Sequence, residues 1–598
     1  MSVHAKTTPT SIRKTCEDIL GDRTIASGYT LKYKRVCQIK TVKKKTFQIP
    51  SCDPFEPLGR TFDENGENTG LVIRFAANRN AKDIVEVTVS MADLVADARK
   101  VVSVLASKGL WVAASREAVN KVGELLSLIQ PKDDVVTVSR PGWYGNVFVS
   151  PTGEVFGAEE TLYRLSATTQ YDDPGKSGDL KGWREATRAA IESANGDFLC
   201  MGLLSGFAGP LINLMQETTS VLINFAGTTS RGKTTAQRLG ASVWGNPIRG
   251  AALVQFNMTP NSVEAVAEKA NGSLLAIDEG GQSGMTGPQY QTAVFNLAGG
   301  SGKHRLTPAA TERKVRRWST CITISEEIGF ADKVKRDGRN PAAGAVARTW
   351  EIDVDDAEIL KKPVVAKMER IEKHFGHAAP VFVQHLLRKG YPNEVDRLMK
   401  RVKDSEALLI ADGEAPQKRR VAGAASILLV AGQLAQEAGL IDREYDLQGA
   451  VSRVLERSYT RMARDMDPIE TALVNLRERV LSRLGYDIRE FDYEQDTVHR
   501  EVVALFGYEL KPNEFTSEDK AFSVDERVYF LPVDQLMALG GGNVTAKAIA
   551  RALKKQGYLL TPDKKNSLWP TMPRGEKINH YRVSGAFFHE TVGEGGAV

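Results

Sequence analysis

A parallel, two-sided α/β sheet is the fold class the sequence predicts for the centre of this chain, on three observations. Short apolar runs alternate with helical stretches from about residue 196 to 355, the pattern of strands covered on both faces. The run "SVLI" leads into "NFAGTTSRGKTT" and then "AQRLGASVW", which reads as strand, glycine-rich loop and helix. A second apolar run, "GSLLAIDEG", ends in the adjacent carboxylates Asp278 and Glu279.

At 598 residues the chain is too long for one hydrophobic core. Composition shifts divide it into a basic N-terminal segment (1–60), an α/β N-terminal domain (61–195), the central α/β core (196–355), a helical lid or linker (356–470) and a C-terminal domain (471–598). In the second segment, β-rich runs such as "DIVEVTVS" surround the helical "MADLVADARKVVSVLASKG" and "REAVNKVGELLSLIQ". In the fourth, "AEILKKPVVAKMERIEKHF" and "RVAGAASILLVAGQLAQEAG" repeat apolar residues every three or four positions, as amphipathic helices do.

The bulk numbers exclude some classes. Hydrophobic residues at 42% and charged residues at 26% are ordinary for a globular protein. The net charge of +5 is too mild to announce a nucleic-acid binder, so clustering has to carry that question. Cys16, Cys37, Cys52, Cys200 and Cys321 are dispersed and odd in number, which points to reduced thiols in the cytoplasm rather than to disulfides or zinc. "MSVHAKTTPTS" has no apolar core behind a positive flank, so no secretory leader is expected. The apolar "FLCMGLLSGFAGPLINLM" is broken by Gly209, Pro210 and Asn213 and reads as a buried helix, not a membrane span.

Gly227, Gly232, Lys233 and Thr234 fill every fixed position of G-x-x-x-x-G-K-[ST]. Glycines let the backbone turn tightly and bring N–H groups against phosphate oxygens, and the following helix aims its positive end at the same oxygens. Thr228, Thr229, Ser230 and Arg231 within the loop, and Thr235 after it, complete the set expected to contact ATP. Lys233 then sits against the β- and γ-phosphates, and the Thr234 hydroxyl on Mg²⁺. A carboxylate at a strand's end beside such a loop holds the Mg²⁺ shell, a role assigned to Asp278. Glu279 then orients or deprotonates the attacking water, and the doublet favours hydrolysis over kinase chemistry.

Two further strands extend the set. "WSTCITIS" carries Thr323 and Ser325 near its end, where a polar side chain can reach the γ-phosphate or the water; Ser325 is preferred because it lies at the strand exit. The plainer alternative is the β-propensity of Thr. In "AGAVARTWEIDV", Arg348 opens a strand from which it can reach a neighbouring subunit's γ-phosphate; the alternative is an ordinary surface ion pair.

Basic residues gather in three places. "LKYKRVCQIKTVKKK", from Leu31 to Lys45, reads as a solvated strand face or arm. "LAGGSGKHRLTPAATERKVRRW" reads as a loop or hairpin able to track a phosphodiester backbone, with Lys303 and Arg305 at its start. The helix from about Thr545 to Gln556 turns Ala546, Ile549, Ala550 and Leu553 inward and Lys547, Arg551, Lys554 and Lys555 outward. With "RVYFLPVDQLMAL" read as a helix before it, and a strand pair bearing Lys564, Lys565 and Arg574 after it, the C-terminal domain has a winged-helix outline. Such domains lie on DNA or dock proteins.

Together these residues resemble the family catalogued as domain of unknown function 927, over roughly residues 70 to 590. The matching text includes "PGW" with "VFVSPTGEVFG", "GTTSRGKTT", "WGNP", "AIDE", "GGSGKHR", "ISEEIG", "AGAVAR", "HFGHA" and "QKRRVAGAASILLVAGQLA". The resemblance implies a ring-forming AAA-plus ATPase of a phage or other mobile element, similar to minichromosome-maintenance and superfamily-3 helicases. It implies that Arg348 is an arginine finger and that Arg420 is a basic residue touching nucleotide. The family's S-T-G-E at the end of the sensor strand reads "TISEE" here, which puts the role of Ser325 in doubt.

The function expected is an ATP-hydrolysing DNA helicase or translocase, a homo-oligomeric ring of hexamer type, using ATP and Mg²⁺ on single-stranded or forked DNA, with no membrane. The alternative is an ATP-dependent conformational switch or assembly factor, for example in phage defence, without unwinding. A P-loop kinase stands third.

Overall fold

The computed structural model describes residues 8–21, 28–77, 83–157, 162–166, 175–215, 220–278, 284–303, 315–336, 343–346, 348–411, 414, 416–466, 468–483, 488–490, 507–510, 527–541, 544–561, 568–569 and 577–589. It is a mixed α/β protein that divides into two compact units.

The first unit comprises residues 1–175, 266–273 and 379–395. It opens with α1 (Pro9–Leu20), capped by Thr8, and a three-stranded antiparallel sheet of β1 (Tyr29–Lys32), β2 (Arg35–Val42) and β3 (Lys45–Cys52). A five-stranded sheet follows, in the order β11-β7-β4-β5-β6, from β4 (Phe55–Asp63), β5 (Gly70–Ala76), β6 (Ile84–Ser90), β7 (Asp134–Val138) and β11 (Leu162–Leu165). Helices α2 (Met91–Ser107) and α3 (Arg116–Leu128) bury Leu94, Val101, Val102, Leu105, Val122, Leu125 and Leu126 in its core. A small meander of β8 (Gly142–Tyr144), β9 (Val147–Val149) and β10 (Val155–Phe156) completes the strands.

Two turns in the first sheet are strained. Lys32 pairs with Arg35 and Val42 with Lys45, so each hairpin turns in two residues. Those residues, Tyr33 with Lys34 and Lys43 with Lys44, all sit at positive φ, between +47° and +65°. A tight hairpin demands this backbone of its central pair and usually fills it with Asn-Gly. For a residue with a Cβ the left-handed region costs roughly 1–2 kcal/mol.

The second unit holds the glycine loop. In chain order it runs α4 (Leu180–Ile191), α5 (Gly196–Leu214), β12 (Val221–Ala226), α6 (Lys233–Trp244), β13 (Leu253–Gln255), α7 (Pro260–Lys269), β14 (Leu274–Asp278), α8 (Gly287–Gly299), β15 (Cys321–Glu326), α9 (Phe330–Arg336), α10 (Ala343–Val346) and β16 (Thr349–Asp353). The five strands of this sheet are all parallel, in the order β13-β14-β15-β12-β16. Every residue of β12 and β14 is buried, which is why they read as unbroken apolar runs. Helices α11 (Lys362–Met368), α12 (Ala378–Arg388), α13 (Val395–Leu409), α14 (Pro416–Glu437) and α15 (Leu447–Met466) follow, with α12 counted in the first unit.

The C-terminal elements are α16 (Pro468–Leu481), β17 (Ile488–Glu490), β18 (Gly507–Leu510), β19 (Val528–Pro532), α17 (Val533–Leu539), α18 (Ala546–Lys555), β20 (Leu559–Leu560), β21 (His580–Ser584) and α19 (Ala586–His589). One expectation is corrected here: "RVYFLPVDQLMAL" is not one helix. Val528–Pro532 pairs antiparallel with His580–Ser584, and the helix begins only after Pro532. The β-branched and aromatic Val-Tyr-Phe favours a pleated surface, and Pro532, lacking an N–H, serves as the cap that starts α17.

Helix α5 is long and apolar enough to cross a membrane, but 89% of its apolar window is buried inside the protein. It lies directly on α6: a Cβ built on Gly202 meets the Ala236 carbonyl oxygen at 2.2 Å, and one on Gly240 meets the Gly202 carbonyl oxygen at 2.5 Å. Only glycine allows the two backbones this close. Since both atoms met are backbone, Gly202→Ala is expected to cost about 1–3 kcal/mol through overpacking. Thermal melting should show a clear drop; an unchanged melting temperature contradicts the close crossing.

Candidate functional site

The loop between β12 and α6 takes the backbone its sequence demands. Gly227 and Gly232 have φ of +148° and +94°, and Ser230 joins them at +67°. Gly232 caps α6, so Lys233 is the first residue of the helix and Thr234 the second. The Lys233 ammonium donates to the carbonyls of Gly227 and Thr228, at 2.5 and 2.7 Å. Burial holds that ammonium below its ordinary pKa, while Glu327, Asp355 and Asp278 pull the other way.

Asp278 ends β14, where the register sets it beside Ser325 of β15. It is 1% exposed. One carboxylate oxygen accepts from the Ser325 hydroxyl at 2.6 Å and the Thr234 hydroxyl at 3.2 Å; the other meets the Arg249 Nε at 2.8 Å. A buried carboxylate needs such partners to offset lost hydration. The structure thus joins Lys233, Thr234, Asp278 and Ser325, four of the residues singled out in the sequence. Ser325 is turned to the carboxylate by this bond. Gln237, buried in α6, ties the sheet beneath by donating to the carbonyls of Ile277 and Thr323.

Several site residues were not anticipated. Arg249 precedes β13 with no local signal, and the same holds for Asp355, which accepts the Thr228 N–H at 2.6 Å. Glu327 accepts from the Thr229 hydroxyl at 2.7 Å. Arg231, already expected as part of the loop, donates to the Ala357 carbonyl at 2.9 Å. Glu326 is buried against Lys333 at 2.9 Å and the Tyr290 hydroxyl, and burial pushes its carboxyl up. The doublet "EE" after the sensor strand was the only hint of Glu326 and Glu327.

Thr229 to Thr235, Arg249, Asp278, Ser325, Glu326, Glu327 and Lys333 line one cleft of about 930 Å³, which Thr228, Gln237 and Asp355 support from behind its lining. Its lining combines the polar Thr229–Thr235, Arg249, Asp278 and Ser325 with the apolar Phe198, Leu199, Leu360, Val365 and Met368. A cleft that joins convergent polar groups to apolar walls fits a nucleotide, which offers both phosphates and a base. Thr234 and Asp278 supply hard oxygen donors of the kind Mg²⁺ takes alongside phosphate oxygens. Glu279 and Arg305 lie outside the described residues, as do Lys564, Lys565 and Arg574.

The remaining predicted residues are elsewhere. Arg348 is exposed, donates to the Gly344 carbonyl at 2.8 Å and covers the Phe295 ring at 4.6 Å; it does not line the cleft. Arg420 is exposed on α14 and does not line it either. Lys303 is exposed just past α8, where Ser301 bridges Arg317 and Gly302 donates to the Arg316 carbonyl at 2.9 Å. Those bonds bring the chain before and after residues 304–314 together, and 304–314 themselves lie outside the described residues. On α18, Lys547, Arg551, Lys554 and Lys555 are exposed while Ala546, Ile549, Ala550 and Leu553 are buried.

Asp278→Asn keeps an acceptor for Ser325 and Thr234 but removes the charge. The expected outcome is Mg²⁺-dependent ATP hydrolysis lower by about 100-fold or more with nucleotide binding retained. Parallel turnover and nucleotide-binding titrations check this, and wild-type turnover contradicts the assignment.

No curated protein matches the chain. Among solved structures it is similar to the one described as "SCCmec type IV Cch - active helicase", at 15% identity and a TM-score of 0.66, over 94% of this chain and 98% of that one. That likeness is one of fold. The apo NrS-1 C-terminal region aligns over 88% of this chain and 96% of that one at 12% identity, but its TM-score of 0.29 carries no weight. The quoted motifs from "ISEEIG" onward fall beyond the span of the family match, which begins earlier than the N-terminal motifs suggested. Residues 32–317 match the model of the family described as domain of unknown function (DUF927).

Proposed function

We propose that this chain is an ATP-driven DNA helicase or translocase of AAA-plus type, working as a ring with ATP held between neighbouring subunits. The observation that carries the reading is the convergence of Lys233, Thr234 and Asp278 at the carboxyl ends of parallel strands, on the glycine loop, in one cleft. Open parallel sheets place ligands at that edge. The strand order supports the type of core, because β12 lies between β15 and β16 and the chain returns across the sheet through β13 and β14.

In this reading Lys233 exchanges its two carbonyl partners for β- and γ-phosphate oxygens, and Thr229 and Thr228 exchange theirs likewise. Thr234 and Asp278 hold Mg²⁺, which neutralises charge on the phosphates when bound. Glu279 orients the attacking water. Ser325, by donating to Asp278, fixes the carboxylate that faces the loop. Arg348 is exposed and does not line its own chain's cleft, and its guanidinium serves the γ-phosphate of the neighbouring subunit, as an arginine finger does. Lys303 and Arg305, in the basic segment after α8, meet one strand of DNA, and α18 offers Lys547, Arg551, Lys554 and Lys555 to the backbone.

The five-part division proposed from the sequence, with a helical lid at 356–470 and a winged-helix-like end at 471–598, supplies the moving parts. The likeness to a fold whose solved representative is described as an active helicase supports the choice of reaction.

Forked-DNA unwinding by the wild type and Lys233→Ala, side by side, tests the proposal. Removing the lysine is expected to lower unwinding and DNA-stimulated hydrolysis by about 100-fold or more. If the wild type hydrolyses ATP but neither unwinds nor responds to DNA, the helicase reading fails and an ATP-dependent switch replaces it.

A further inference from the structure

We propose that the β2–β3 hairpin is a basic ribbon that enters a groove of duplex DNA, separately from the nucleotide cleft. Beyond Ile39 this hairpin has only two strands, because β1 reaches no further along β2 than Gln38. All ten residues from Thr41 to Pro50 are exposed, on both faces. The tip is densely cationic: Lys40, Lys43, Lys44 and Lys45, with no Asp or Glu anywhere between Arg35 and Ser51. Among the described residues Lys40 pairs with Glu117 at 2.7 Å, and the ion pairs there include none from Lys43, Lys44 or Lys45. Beside the lysines, Val42 and Phe47 stand 45% and 50% exposed.

Three physical points converge on duplex DNA. Paired strands lie about 4.8 Å apart, and the major groove, about 12 Å wide, admits a two-stranded ribbon. Ammonium groups at the tip suit phosphates on either side, while Phe47 and Val42 suit the apolar contact that thymine methyl groups offer. The turn itself is the third point. Lys43 and Lys44 occupy positive φ, where Asn-Gly would rest without strain. Backbone strain of this kind gathers where a ligand is gripped. A second copy of the chain pairing along the β3 edge is disfavoured by the same lysines, since charged edges oppose strand addition.

The inference rests on DNA being the partner, as proposed above, and the experiment separates the two. Full-length protein is titrated against a labelled duplex, and a single strand of equal length, without nucleotide, from about 50 to 200 mM salt. Two variants accompany the wild type: K43A/K44A/K45A, and K43N/K44G, which relaxes the turn. The triple variant should bind duplex roughly tenfold to hundredfold more weakly near 0.15 M salt, with a salt slope shallower by about 2–3. K43N/K44G should melt at the same temperature or higher and yet bind more weakly, which misfolding cannot produce. Duplex binding equal to wild type in both variants overturns the ribbon assignment and leaves the proposed function standing. So does a loss that is equal on single strands, or one that appears only as dissociation of the oligomer. A wild type that binds the single strand but no duplex overturns the ribbon alone, and one that binds neither overturns the proposed function as well.

Discussion

One buried carboxylate organises this molecule's central cleft. Asp278 has given up nearly all contact with water, and an ionised carboxyl in that position costs several kcal/mol unless donors surround it. Its donors come from three places: Thr234 on the helix after the glycine loop, Ser325 at the exit of β15, and Arg249 before β13. Each must arrive at one point, so the register of β14 against β15 and the seat of α6 above them are set together. A slip of one residue along either strand turns these side chains to the opposite face.

The surroundings serve that point. The Gly202–Gly240 crossing lets α5 press α6 against the sheet, and Gln237 sends its amide into the strand carbonyls beneath. The loop is then well satisfied by its own protein partners: Asp355 takes the Thr228 N–H, Glu327 takes the Thr229 hydroxyl, and Lys233 folds onto loop carbonyls. Phosphate binding at such a loop is an exchange of charge-assisted bonds for others of similar kind. Affinity then depends on the difference between two large terms, and the carboxylates around the loop make a divalent cation the natural accompaniment of a triphosphate.

The parts that were legible in the sequence are those whose chemistry is local. The glycine loop declares itself because its function lies in consecutive backbone groups, and α18 because a single helix sorts its own faces. The carboxylate at Asp278 was readable as the end of an apolar strand. Arg249, Asp355 and Glu327 were not, because each becomes meaningful only when distant segments are folded against the loop. Residues 528–532 misled for the same reason: their strand character comes from the partner at 580–584, about fifty residues away. Ser325 was readable as a polar strand exit, but its bond to Asp278 was not, since register between β14 and β15 has no signature in either strand alone.

In the function proposed above, a complete site needs two protomers, with the loop of one and Arg348 of the next. The most direct measurement mixes two inactive variants, Lys233→Ala and Arg348→Ala, and follows ATP hydrolysis. In a mixed ring some sites pair an intact loop with an intact arginine, so turnover should return on mixing although each variant alone is inert. No recovery in rings shown to be mixed, or an Arg348→Ala variant that hydrolyses ATP at the wild-type rate, contradicts the claim.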